Sequence, residues 1–263
     1  MTGFLTNKRY KYATVYVDQY SRHGFVYLQK AASAEETLKG KIAFEMHAQS
    51  HGVRVEHYHA DNGIFKAHAW VDACKQAGQG LTFAAVGAHQ QNGIAKGRIR
   101  ELQELARTML IHANRRWPKG VDAHLWPYAV RMAADVLNET PSLQDAQHRS
   151  PLQLFCNTKV AVNSKNYIPF GCPVYVLDST LQSKLPFHKW KQQSRVGIYL
   201  GRSPLHSKNV ALVLDRNTAL VSLQFHEKCD HNFQTAKEDD FIELASQGRI
   251  FHPPEQNANG VNW

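Results

Sequence analysis

The chain has 263 residues, 43% of them hydrophobic, a net charge of +9 and a pI near 9.4. That suffices for one large or two smaller globular domains, and the basic balance suits a polyanionic partner such as nucleic acid as readily as it suits solvated basic faces. No apolar run is long enough for a membrane span, the start MTGFLTNKRYKY lacks the apolar stretch of a secretory signal, and Cys74, Cys156, Cys172 and Cys229 are too scattered for a zinc knuckle or a disulfide framework, so thiols in a reducing compartment are expected.

Residues 10–18 (YKYATVYVD) alternate and are rich in β-branched and aromatic side chains, which predicts a strand. The turn YSRHG and a second strand at 25–30 complete an antiparallel hairpin. Ser33 and Glu36 have capping-box spacing, so a helix is predicted over 34–51, stopping at Gly52. A strand at 53–59 ends at Ala60-Asp61-Asn62-Gly63, and a short helix follows near 67–77. LTFAAV at 81–86 is a further strand. A long helix is predicted from Gly93 to about Arg116, and another from Asp122 to Glu139. This order implies an α/β layered domain with Asp61 at the carboxyl end of a strand, the edge where open α/β sheets bind ligands. The composition then shifts. Residues 167–235 hold four or five short strands, a small all-β, SH3-like module, and 236–263 resembles a flexible tail.

Eight phrases carry a family resemblance: VDQYSR (17–22), HADNG (59–63), AHQQNGIA (88–95), RIRELQELARTML (98–110), SPLQLF (150–155), FGCPVYV (170–176), GIYLGRSP (197–204) and NVALVLD (209–215). In this order they resemble the integrase of copia-type LTR retrotransposon polyproteins. The resemblance implies a ribonuclease-H-like core over 1–160, a five-stranded sheet flanked by helices, followed by the SH3-like module. It also implies phosphoryl transfer on DNA, Mg2+ or Mn2+ as cofactor, action as a homo-oligomer on DNA ends, and a nuclear location.

That chemistry needs carboxylates, because two divalent ions about 4 Å apart clamp the attacking and leaving oxygens. The family uses two Asp and one Glu. Asp61 matches the second Asp; the bland reading of the residue is an Asx turn before Asn-Gly. Lys96, 35 residues later, stands at the Glu position. An ammonium repels a metal ion and cannot ligate it, so Lys96 is expected to approach Asp61 as an ion pair. Glu101 and Glu104 lie too far around or along the helix to substitute. The family's first Asp belongs to a strand before VDQYSR, and the chain is expected to begin inside the loop after that strand. Asp18 is then a strand-end residue, and the core is expected to lack its central strand and to be a doubtful autonomous folder.

His57 and His59 share a strand face without an obvious third metal ligand. His89 and Asn92 fall in the loop beside the site, and Arg98, Arg100, Arg107, Arg115 and Arg116 along the long helix; these could meet DNA or simply face solvent. In the β module Lys184, Lys189, Lys191, Arg195, Arg202 and Lys208 surround Trp190, a combination suited to a DNA surface. Three readings stand: a degenerate, inactive integrase that binds DNA non-specifically and salt-sensitively, a fragment of an active polyprotein integrase, or a domesticated DNA-binding or interaction module.

Overall fold

The computed structural model describes residues 10–85, 89–118, 120–143, 145–158, 167–178, 181, 190, 193–207 and 209–236. Tyr12–Val17 (β1) and Gly24–Gln29 (β2) form the expected antiparallel hairpin, with Val15 opposite Val26. Its turn is closed by Asp18, whose Oδ2 accepts from both the Ser21 N–H and Oγ at 2.7 Å, and by Arg22 in the left-handed region (φ 64°). Ala34–Ser50 (α1) begins at Ser33, whose side chain accepts from the Glu36 N–H. The Glu36 carboxylate accepts from the Lys30 N–H, tying the helix to the end of the hairpin. α1 stops at Gly52 (φ 73°), where Val53 N–H donates to Ala48 O at 2.9 Å. That bond delays the next strand. β3 is His57–Ala60 and does not begin at 53.

His68–Gln76 (α2) links β3 to Gly80–Phe83 (β4), which pairs parallel to β3 with Tyr58 opposite Leu81. β1–β2 and β3–β4 are two separate two-stranded sheets. Side chains join them: Tyr16 of β1 stacks on Phe44 at 4.9 Å and meets Tyr58 of β3 edge-on at 6.4 Å. With Trp70 and Cys74 these residues form one buried cluster beneath α1 and α2.

Gly93–Arg116 (α3) runs as the sequence predicts, burying Leu102, Ala106 and Ala113 along one side. Asp122 caps a single 3-10 turn, Ala123–Leu125, and the α-helix proper, Trp126–Glu139 (α4), starts after it with Pro127 in its first turn, where the missing N–H costs nothing. Pro151–Cys156 (α5) is a short helix closed by a Ser150–Gln153 capping box. The β module is a five-stranded antiparallel sheet of Pro173–Leu177 (β5), Ser194–Arg202 (β6), Ala211–Asp215 (β7), Val221–Gln224 (β8) and Glu227–Cys229 (β9), ordered β8-β7-β6-β5-β9. The chain is thus α/β.

The larger core cluster crosses the expected domain boundary. It runs from Ala13 and Val26 of the hairpin through Leu102 and Ala129 of the helices to Val174, Ile198 and Val213 of the β module. At roughly 25 cal/mol per Å2 of apolar surface, this shared burial is the main force holding the β module to the helices. The expected tail lies outside the described residues after 236. No helix among the described residues is long and apolar enough to cross a membrane.

Candidate functional site

Asp61 sits directly after β3, exposed, with its Oδ1 accepting from the Gly63 N–H at 3.3 Å. This is an Asx-type turn. The neighbouring Asn62 donates to Ala84 O at 2.5 Å, tying the carboxyl ends of β3 and β4 together. Ala85 N–H in turn donates to the Gln91 side chain at 2.8 Å, in the 3-10 turn His89–Asn92 that leads into α3. Asn92 is the N-cap residue of α3 and makes no side-chain cap bond. Two bonds therefore connect the loop of Asp61 to the segment entering α3, and Lys96 is exposed in the first turn of that helix.

The side chains at this edge are a poor metal set. Mg2+ and Mn2+ want several oxygen ligands. Asp61 brings one carboxylate, and Lys96, on the segment joined to its loop, brings a cation. Among the described residues no three His, Cys, Asp or Glu side chains gather as a metal site. His57 and His59 do share a face, and each has a ring nitrogen 2.9 Å from the Thr82 hydroxyl across the strand pair.

The basic residues separate into two kinds. At 3.6 residues per turn, Lys96, Arg100 and Arg107 share one side of α3, and all three are exposed. Glu104, four residues after Arg100 and three before Arg107, is exposed within that stripe, whereas Glu101 lies off it. Arg98 faces the opposite way and is 8% exposed. Its guanidinium donates to Glu101 at 3.1 Å and to the carbonyl of Arg22, and its stem covers Gly24, where a Cβ would stand 3.3 Å from Nε. Burial lowers its pKa, with Glu101 opposing the shift. Arg195 is half-buried and ion-pairs with Asp215 across β6–β7. Arg202 pairs with Glu139 of α4 at 3.3 Å and lies over the Tyr167 ring at 5.7 Å. Tyr167 also donates to Glu139 at 3.0 Å, and burial, followed by Glu139, pushes its phenol upward. This trio fastens the β module to α4. The side chain of His89, and Lys184, Lys189, Lys191 and Lys208 entirely, lie outside the described residues; Trp190 is 92% exposed.

Two groups escaped the sequence reading. Asn138 of α4 brackets Gly24, accepting from its N–H at 2.8 Å and donating to its carbonyl at 2.7 Å. His23 meets His47 of α1 ring to ring. The spacing of His47 and His51, one helical turn apart, was a visible signal for the second group; the first had none.

The chain is similar to retrovirus-related Pol polyproteins. It is 26% identical over 229 residues to that of transposon RE1 of Arabidopsis thaliana, and 25% identical over 232 residues to that of transposon RE2 of the same plant. Each match covers 86% of this chain but only 14% and 15% of the relative, so the chain spans about one seventh of their length. These relatives bear out the resemblance to the Pol polyprotein of an LTR retrotransposon. Among solved structures, the HTLV-2 integrase catalytic core domain in complex with magnesium (trimeric form) matches with a TM-score of 0.43 and 19% identity, over 59% of this chain and 90% of that one. A simian T-cell lymphotropic virus intasome in complex with PP2A regulatory subunit B56 gamma matches with a TM-score of 0.45 and 16% identity, over 85% and 72%. No protein-family model matches the chain.

Proposed function

We propose that this chain is the integrase region of a copia-type Pol polyprotein, that it binds DNA without strong sequence preference, and that it does not catalyse strand transfer. In this reading 10–158 is a ribonuclease-H-like core and β5–β9 an SH3-like module behind it. The observation that carries the loss of catalysis is Lys96. It is exposed in the first turn of α3, on the segment joined to the Asp61 loop through Asn62–Ala84 and Ala85–Gln91. A cation there raises the electrostatic cost of any dication at Asp61 and supplies no ligand in return.

DNA binding draws on the +9 charge and on the exposed stripe Lys96, Arg100 and Arg107. Those side chains project from a rigid helix of 24 residues, long enough to follow several phosphates. Oligomerisation on DNA ends belongs to the same reading. The intasome that this chain resembles is an assembly, and an assembly of this chain would place several such helices on one duplex.

The test is a manganese-dependent nicking and strand-transfer assay on labelled duplex DNA, with Asp61→Asn as the control. The expected outcome is no product above that control, together with a measurable shift of the duplex. Product that Asp61→Asn abolishes would establish a working metal site and an active integrase. Neither product nor binding, from protein that unfolds cooperatively, would favour a module with a protein partner.

A further inference from the structure

His23 ends the β1–β2 turn and is 3% exposed. Its Nε2 lies 3.0 Å from Nε2 of His47, and the two ring planes are within 6° of parallel. The ring centroids are 5.2 Å apart, which is the nitrogen contact plus one ring radius from each side. The two nitrogens therefore point straight at each other. A transition metal needs each nitrogen about 2 Å away, so an ion between them would force the rings farther apart than they are. The contact is an N–H···N hydrogen bond holding one proton.

The burial pattern selects the tautomer. His23 Nδ1 is buried and has no hydrogen-bond partner among the described residues. An orphaned buried N–H is rarer and costlier than an orphaned acceptor. His23 therefore carries its proton on Nε2 and donates it, and His47 accepts on Nε2 and carries its own proton on Nδ1. A further proton then has two places to go. One is His23 Nδ1, beneath the Phe155 ring of α5, which stacks on His23 at 4.4 Å. The other is His47 Nε2, where two N–H groups would meet head-on.

Among the described residues, no carboxylate pairs with a ring nitrogen of His23 or His47. From α1, His47 and His51 face His23; from α3, Arg98 does, already holding Glu101 and the Arg22 carbonyl. From α4 comes the neutral Asn138, bound to Gly24, and from β2 and α5 the rings of Phe25 and Phe155. In its own turn, Arg22 is a further cation and the Asp18 carboxylate is occupied by Ser21. Burial first, then His47, His51 and Arg98, lowers the pKa of His23 to about 3. Burial and then His51 lower that of His47 to about 4.

We propose that the His23–His47 pair is an acid-sensitive latch, which clasps the β1–β2 turn against α1 while it holds a single bridging proton and releases the turn when it takes up another. The turn is where α1, α3, α4 and α5 all grip the hairpin, so its release loosens the seam between the hairpin and the helices. The device is independent of DNA binding and of the fate of the metal site.

The sign follows from linkage. The lowered folded pKa means the opened turn binds protons first, so the clasp is complete above about pH 6.5 and weakens as pH falls toward 3. Between pH 6.5 and 4.5 the His23 shift alone favours opening by about fiftyfold. Hydrogen exchange over residues 18–24, corrected for the intrinsic rate, should lose protection by at least that factor in the wild-type protein. His23→Gln, which keeps an amide donor for His47 but does not titrate, should remove that factor from the loss; His23→Phe should do the same. Imidazole nitrogen spectra of the wild type at pH 7 should show His23 protonated on Nε2 and His47 on Nδ1. Protection that is flat in the wild type, an equal loss in His23→Gln, or the opposite tautomers would each overturn the proposal.

Discussion

Replacing Asn138 by Ala should unfasten the hairpin from α4. Asn138 is 8% exposed, and it makes both of its bonds to one residue 114 positions away, Gly24. Gly24 is the first residue of β2, opposite Val17 at the turn end of the hairpin, and it is buried under Arg98. Truncation to Ala leaves a buried N–H and a buried carbonyl unpaired. Each such group costs about 1–3 kcal/mol, so a loss of about 2–6 kcal/mol is expected. Water reaching the vacated space would bring the loss toward the lower end. Equilibrium urea unfolding, followed by circular dichroism, measures this at a fixed slope. Asn138→Asp serves as the companion: it keeps an acceptor for the Gly24 N–H but sets a carboxylate oxygen against the Gly24 carbonyl, so it should not rescue stability at pH 7. A loss below about 1 kcal/mol in Asn138→Ala, with an unchanged slope, would refute the view that this bracket holds the hairpin.

Two further outcomes are expected. Gly197→Ala should destabilise the β module by about 1–3 kcal/mol in the same unfolding experiment, because a Cβ there meets the Val213 side chain and stands 2.9 Å from Leu214 O, a backbone atom of the paired strand that cannot swing away. An unchanged urea midpoint would show that β6 and β7 yield more easily than their packing suggests. Duplex affinity should fall steeply between 50 and 200 mM salt, and the double variant Arg100→Ala/Arg107→Ala should flatten the log–log slope by about two. Affinity that stays level with salt would remove the α3 stripe from the DNA-binding reading.

Much of the local architecture was legible in the sequence because its causes are local. The apolar spacing of α3 places Leu102, Ala106 and Ala113 on one side, and its limits at Gly93 and Arg116 follow from that period and from Trp117 and Pro118 beyond it. The hairpin is written in alternation around a polar turn, and α1 in its Ser33 cap and Gly52 stop. Asp61 and Lys96 stand out as candidates by their phrases alone. The strand start at His57 could not, since the Val53 amide is claimed by Ala48 only once α1 has formed. Nor could the onset of α4, where Asp122 caps a 3-10 turn before the helix.

The chain by itself determined the elements, the basic balance, and the residue types at the two candidate site positions. Tertiary structure alone decided what the charged and polar side chains do. Arg98 and Arg100 look alike in sequence, yet one is buried against Arg22 and Gly24 and the other is exposed. Arg202 finds Glu139, Asn138 finds Gly24, and His23 finds His47 across 63, 114 and 24 residues respectively. Local periodicity sets which face of an element is apolar; it carries no information about which distant element that face will meet. The partners of buried polar groups are therefore settled only when the core closes and each desolvated donor must find an acceptor.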